Sequence, residues 1–234
     1  MSMLSDVVRY YYHRLVLNDA RRFDQSGIVV FHGDRRSGKT ARAAQLLHTA
    51  RLRYPGLVIL SNIYHVDIDH QYRSWNELFE LLPDDDKDPR YPNGILILFD
   101  EAQLSLEAND FRDFPGSFLE VICQLGHIDT QLIVTTQEYD RLVKQIREQA
   151  DVIADTEVIV PTRVARIRWF RRRVWVKRQT TSDPKKLRQL APYKTETFHI
   201  SDEIYMLYHT KEFVRSFKKT VKDGLKQRVW ELEP

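Results

Sequence analysis

The stretch Val29–Gln45, VVFHGDRRSGKTARAAQ, decides how the rest of the chain reads. A short β-branched run meets a glycine turn, and a lysine–threonine pair then opens a helical pattern. Within it GDRRSGKT, Gly33–Thr40, satisfies G-x-x-x-x-G-K-[ST] at every fixed position. Gly33 and Gly38 let the backbone curl around an anion with its N–H groups, so Asp34, Arg35, Arg36 and Ser37 become part of a phosphate cradle. Lys39 then reaches outer phosphates, Thr40 offers a hydroxyl to Mg2+, and the following helix turns its positive end to the same point. ATP and Mg2+ are the expected ligands. Arg35 and Arg36 are unusual inside such a loop; phosphate, a neighbouring subunit's acids and DNA are all open as their contacts.

Working outward, GIVVFH (Gly27–His32) reads as a buried strand before the loop and Lys39–Arg53 as a helix after it. GLVILSN (Gly56–Asn62) is a second strand, followed by a helix carrying Trp75, Leu78, Phe79 and Leu82. GILILFD (Gly94–Asp100) is the most apolar strand; GSFLEVICQLG is helical, Thr130–Gln137 is a strand, and EYDRLVKQIREQA is helical again. Buried strands alternating with helices mean an α/β fold: a P-loop NTPase with a central, mostly parallel sheet flanked by helices. After Asp151 the rhythm changes. DVIADTEVIV reads as another strand, and ARIRWF and RVWVKRQ read as two strands joined by a tight basic turn, an antiparallel hairpin. Ile167 and Trp169 alternate with Arg166 and Arg168 at period two, so one face is apolar and the other cationic. DEIYMLYHTKEFVRSFKKTV (Asp202–Val221) reads as one or two amphipathic helices. The expected organisation is an N-terminal extension over residues 1–26, an ATPase core over 27–160, and a basic hairpin with C-terminal helices over 161–234.

Length and composition set limits. The chain of 234 residues is 42% hydrophobic and 29% charged, as for an ordinary globular protein. Its apolar runs fall far short of the ~20 residues that cross a bilayer, and MSMLSDVVRYYYHR has no signal-peptide pattern. One cysteine, Cys123, excludes an internal disulfide framework and suits a reducing cytosol; FLEVICQLGH makes it a buried helical residue. YYYHR near the N-terminus reads as core and subunit contact, and the eight histidines have no ligand spacing. The net charge is only +3, yet unevenly spread. PDDDKD (Pro83–Asp88) is acidic, whereas Arg163–Arg178, RVARIRWFRRRVWVKR, holds eight basic residues and no acid. Arg166, Arg168, Arg171, Arg172, Arg173, Lys177 and Arg178 are therefore the candidate DNA contacts, gripping phosphates without reading sequence. Trp169, Phe170 and Trp175 are assigned to the core.

ILILFDEAQ (Ile95–Gln103) supplies the partner of the phosphate loop, an apolar strand ending in acid. Asp100 would hold Mg2+, and Glu101 would act as general base toward water. That second acid indicates hydrolysis; transfer to a bound acceptor needs no such base. LIVTTQ (Leu132–Gln137) ends a third strand in Thr136 and Gln137, where Gln137 can sense the γ-phosphate or orient water.

GDRRSGKT, LFDEAQ, TTQ and IREQAD together resemble the additional-strand P-loop ATPases of the FtsK–HerA class, over Gly27 to about Val158. Two branches look similar: the genome-packaging ATPases of tailless, membrane-containing viruses, and the Zot-like assembly ATPases of filamentous phages, which LGHIDTQLIVTTQEYDRLVKQIREQAD also resembles. The resemblance implies a homo-oligomeric ring, hydrolysis linked to DNA, Gln137 as sensor, and an arginine entering from the neighbouring subunit. Arg147 is the first candidate for that arginine and Arg141 the second. The reading is an ATP-hydrolysing translocase that packages double-stranded DNA into a preformed capsid, in the host cytoplasm or associated with the virion, beside capsid-vertex or viral membrane proteins. Zot-like proteins carry a membrane segment after the ATPase domain and none is expected here, which places extrusion second. A non-motor NTP-binding regulatory module is opposed by Glu101, and a nucleotide kinase by the lack of an arginine-rich lid.

Overall fold

The computed structural model describes residues 23, 25–83, 88–104, 129–181 and 183–208. The YYYHR segment, most of the acidic loop, the GSFLEVICQLG helix with Cys123, and everything after Tyr208 lie outside the described residues. In chain order the elements are β1 (Gly27–His32), α1 (Lys39–Arg53), β2 (Val58–Ser61), β3 (His70–Gln71), α2 (Trp75–Leu81), β4 (Ile95–Phe99), β5 (Thr130–Thr136), α3 (Lys144–Gln149), β6 (Ala150–Val160), β7 (Val164–Arg171), α4 (Arg172–Thr180), α5 (Pro184–Gln189), β8 (Lys194–His199) and α6 (Asp202–Met206).

The strands form one sheet in the order β3-β2-β4-β5-β1-β6-β7-β8. It is parallel from β3 through β6, and β7 and β8 then add two antiparallel strands. All five residues of β4 are buried, as expected for a strand covered on both faces. Alternate side chains feed two cores. Ile28, Val30, Ile97 and Phe99 pack with Tyr72, Trp75 and Trp175 on one face. Phe31, Leu96 and Leu98 pack on the other with Ala41, Ala43, Ala44 and Leu47 of α1, whose small side chains let the helix lie close. Each buried Leu, Ile or Phe contributes about 1.5–3 kcal/mol by leaving water. Two connections meet beside β1: the chain crosses to β2 on one side and later returns to β6 on the other. In open sheets of this kind the crevice above such a switch point, at the carboxyl ends of the strands, takes the ligand.

Three expectations change. RVWVKRQ is helical, within α4, rather than the second strand of a hairpin. Val174, Trp175 and Arg178 share one face at helical spacing, with Trp175 buried against Phe170 and Arg178 lying over that ring; the β-branched VWV run hid this 3.6-residue pattern. The antiparallel hairpin that does form joins β6 to β7, and β8, a threonine-rich strand not foreseen, covers the other edge of β7. β7 and β8 thereby continue the core sheet beyond residue 160. Lastly, the helix expected over EYDRLVKQIREQA breaks at Leu142 and Val143. Their extended backbone puts both side chains in the core.

Candidate nucleotide site and basic strip

The phosphate loop leaves β1 at His32 and is shaped by two glycines. A Cβ on Gly33, at φ +146°, would lie 2.1 Å from the Thr156 carbonyl oxygen, so a side chain there would push the loop off β6. Gly38, at φ +92°, caps α1 and leaves its last free space to Ile200. Arg36 is also left-handed, at φ 61°. Lys39 is only 4% exposed, and its Nζ donates to the carbonyl oxygens of Gly33 and Asp34, both at 2.7 Å. Burial pushes its pKa below the usual lysine value, against the pull of Glu101, Asp100 and Asp34. The buried Ser37 Oγ has no hydrogen-bond partner among the described residues. An orphaned hydroxyl and an ammonium resting on its own loop's carbonyls both suit an incoming oxyanion.

Asp100 ends β4 under heavy constraint. Its N–H donates to Asn62 Oδ1 at 2.7 Å, and its carbonyl accepts from Asn62 Nδ2 at 2.9 Å. Its Oδ1 accepts from Thr40 Oγ1 at 2.8 Å and Thr135 Oγ1 at 2.7 Å. Burial raises its pKa to about 6, with Glu101 adding to the rise and the two threonine bonds and Lys39 opposing it. A carboxylate and a hydroxyl at this separation, in a site that penalises negative charge, form a fitting donor pair for Mg2+.

Glu101 follows at φ 50°, a strained backbone for a non-glycine residue. Its N–H donates to Thr135 Oγ1 at 3.0 Å, so one hydroxyl fixes both acids. Its carboxylate accepts from Gln103 Nε2 and from Gln137 Nε2, the latter at 2.9 Å. Gln137 N–H donates to Gln103 Oε1 at 3.3 Å, and Arg35 Nε donates to Gln137 Oε1 at the same distance. β5 stands between β4 and β1, which is what brings Gln137 to Glu101.

A cavity of about 850 Å3 joins these groups, and residues 35–40, Asp100, Glu101 and Gln137 all line it. The structure brings these sequence-predicted residues to one cavity. Asn62, Gln103 and Thr135, which the sequence reading overlooked, act through partners distant in the chain, and Gln103 also bonds Glu101 two residues away. The sequence reading also overlooked Arg163, Ile200 and Tyr205, which line the remaining wall. Arg147 and Arg141 are not among the lining residues. Arg147 donates from Nε to the Leu142 carbonyl at 2.9 Å and lies 3.7 Å from Asp140, while Arg141 pairs with Glu138 at 2.9 Å.

The basic strip is less bare than its sequence. Arg168 pairs with Asp155 at 2.9 Å and Glu157 at 3.2 Å, and Arg166 reaches Glu157 at 3.7 Å. The acids come from β6, which registers against β7 so that carboxylates face guanidiniums. Arg172 donates to the Arg147 carbonyl, and Arg178 lies over Phe170. Arg171, Arg173 and Lys177 are exposed and carry no ion pair among the described residues. They cluster where β7 passes into α4. Arg171 is in register with Val152, four residues before Thr156 at the phosphate loop, about 13 Å along the strands.

A strand inserted between the phosphate-loop strand and the acidic strand, with the Lys39–Thr40 and Asp100–Glu101 pairs facing one crevice, defines a P-loop NTPase fold of the additional-strand type. Within that class the chain belongs to the zonular occludens toxin (Zot) family, whose model matches residues 27–211. Of the two branches that the motifs resemble, the family model matches the Zot-like one. A search among curated proteins finds no match. The N-terminal domain of zonular occludens toxin from Neisseria meningitidis has the same fold, with a TM-score of 0.54 at 17% identity, covering 79% of this chain and 99% of that one. The genome packaging NTPase of Sulfolobus turreted icosahedral virus 2, in complex with ATP-gammaS, aligns at 14% identity and a TM-score of 0.46, over 74% of this chain and 92% of that one. No helix among the described residues is long and apolar enough to cross a membrane.

Proposed function

We propose that this chain is an ATP hydrolase of phage assembly whose turnover drives DNA movement. One observation carries the reading: a single buried hydroxyl, that of Thr135, binds both Asp100 and Glu101 at the mouth of the phosphate loop. A device that only grips a nucleotide needs the metal-binding acid; fixing the adjacent glutamate as well serves hydrolysis. On nucleotide binding Lys39 exchanges the Gly33 and Asp34 carbonyls for outer phosphate oxygens. Thr40 and Asp100 would hold Mg2+, which would offset charge on the phosphates. Glu101 takes a proton from the water attacking the terminal phosphorus, while Gln103 and Gln137 hold its carboxylate in line. Gln137 also contacts Arg35 on the phosphate loop, which suits it to report the γ-phosphate.

DNA coupling and assembly are finer parts of the same proposal. Arg171, Arg173 and Lys177 form the phosphate-gripping surface, at the end of the sheet away from the nucleotide. In a homo-oligomeric ring Arg141 suits the neighbour's cavity better than Arg147, because it is more exposed and gives up only an ion pair three residues away, worth about 0–1 kcal/mol. The single cysteine favours a reducing host cytoplasm as the place of action. The match to the Zot family supports placing phage assembly ahead of packaging into a capsid, which the sequence motifs put first.

The test is ATP hydrolysis by the full chain with Mg2+, with and without DNA, across a salt series. Lys39→Ala and Glu101→Gln are expected to lose at least about 100-fold in turnover. DNA should stimulate the wild type, and stimulation should fade with salt and in a variant with Arg171, Arg173 and Lys177 all changed to Ala. Hydrolysis unaffected by Glu101→Gln would refute the catalytic reading; hydrolysis indifferent to DNA at every salt concentration would refute the coupling.

A further inference from the structure

The phosphate loop and its acids account for only part of the cavity. The rest of its wall comes from a segment that enters after β8 and passes over the start of α1. Ile200 packs on Gly38, and Ile204 and Tyr208 are buried in the core beside Ala41 and Ala44. Leu207 then accepts a hydrogen bond from Val66 N–H at 2.8 Å, and Tyr208 bridges to His65 beyond β2. Residues 200–208 are therefore a strap, tied to the β8 side at one end and to the β2 side at the other. Midway, Tyr205 Oη donates to the Thr162 carbonyl at 2.5 Å, and Arg163 in the same turn pairs with Asp202 of α6. The β6–β7 turn and α6 thus hold each other at the rim of the cavity.

The chemistry of this wall differs from that of the loop. Ala41, Ile63, Ile200, Tyr205 and Tyr208 line it, an apolar and aromatic surface continuous with a cradle of anion donors. Tyr205 is half-buried, with its hydroxyl already engaged, so its ring is what it has left to offer. A ligand that fills both halves is highly charged at one end and flat and aromatic at the other. We infer that the strap is the nucleobase subsite: a purine packs against Tyr205 and Ile200, with Arg163 at the rim. This deepens the proposed ATP-hydrolase reading and rests on it. Recognition is by the face of the base, because aliphatic and phenolic side chains offer its edges no carboxamide or carboxylate.

Calorimetric binding of ATP, GTP and inorganic tripolyphosphate to the full chain separates the parts. Wild type is expected to bind ATP and GTP within a few-fold of each other and both at least about fivefold tighter than tripolyphosphate, the low end of base–aromatic stacking. Tyr205→Ala should lose about fivefold or more for ATP and nothing for tripolyphosphate, and Tyr205→Phe, which keeps the ring, should bind ATP as wild type does. Equal losses for both ligands in Tyr205→Ala would make Tyr205 a support of the loop and overturn the subsite. So would unchanged ATP affinity. A wild type that binds neither ligand would overturn the phosphate-site reading itself, and one that binds tripolyphosphate as tightly as ATP would overturn only the subsite.

Discussion

Thr135 offers the sharpest test of how the two acids are held. Thr135→Val removes one hydroxyl and little volume from a fully buried position. In the wild type that hydroxyl donates to Asp100 Oδ1 at 2.7 Å and accepts from the Glu101 N–H at 3.0 Å. A hydrogen bond to an ionised group contributes about 1.5–3 kcal/mol, and a buried N–H left without an acceptor costs about 1–3 kcal/mol. The lower halves of these ranges give a loss of about 3 kcal/mol, a fall of roughly 6–12 °C in Tm for a chain of this size. Turnover should fall with it, because Glu101 loses the anchor on its strained backbone. The assay is thermal melting at pH 8, where Asp100 is ionised, beside steady-state ATP hydrolysis. Thr135→Ser keeps the hydroxyl and should restore most of both. A Thr135→Val protein that melts within about 1 °C of wild type and turns over normally would refute the shared anchor.

Gln103→Leu removes one of the two amides on the Glu101 carboxylate and the acceptor of the Gln137 N–H. kcat should fall about tenfold or more with KM changed less than about threefold; a raised KM at unchanged kcat would assign Gln103 to binding instead. His65 contributes to acid sensitivity. Its Nε2–H donates to the Ala44 carbonyl at 3.0 Å, Nδ1 accepts from Asp67 N–H at 3.0 Å, and burial holds its pKa below the usual histidine value. The unfolded chain takes the proton first, so the stability His65 supplies is whole above about pH 6.5 and declines as pH falls below that. Asp100, raised to about 6, acts in the opposite sense and stabilises the fold on acidification. The gap in urea midpoint between wild type and His65→Asn cancels Asp100's share; it should narrow between pH 7.5 and 5.5, and a constant gap would refute the assignment.

Much of the site was legible because its parts are local. GDRRSGKT needs only its own backbone to make a cradle, and FDE needs only the end of a buried strand. Gln137 was legible for the same reason, as the residue following Thr136 where β5 ends. Arg166 and Arg168 show the limit. Their outward alternation was readable, but the acids that neutralise them, Asp155 and Glu157, lie eleven or so positions earlier, on a strand whose register only pairing fixes. The helical RVWVKRQ failed differently, since its β-branched run reads alike in either period until Trp175 is seen against Phe170.

The sequence by itself determined a phosphate-loop pattern and an acid pair closing a buried strand, since both depend on contacts within a few residues. Tertiary structure decided which polar groups aim those acids and what completes the cavity. Thr135, Asn62 and Gln103 matter through partners brought close by strand order, with β5 placed between β4 and β1. The strap from Ile200 to Tyr208 became a wall only because β8 delivers it across the start of α1. Hydrogen bonds and close packing act over a few ångströms in space, and spacing along the chain records that distance only where the backbone is locally regular.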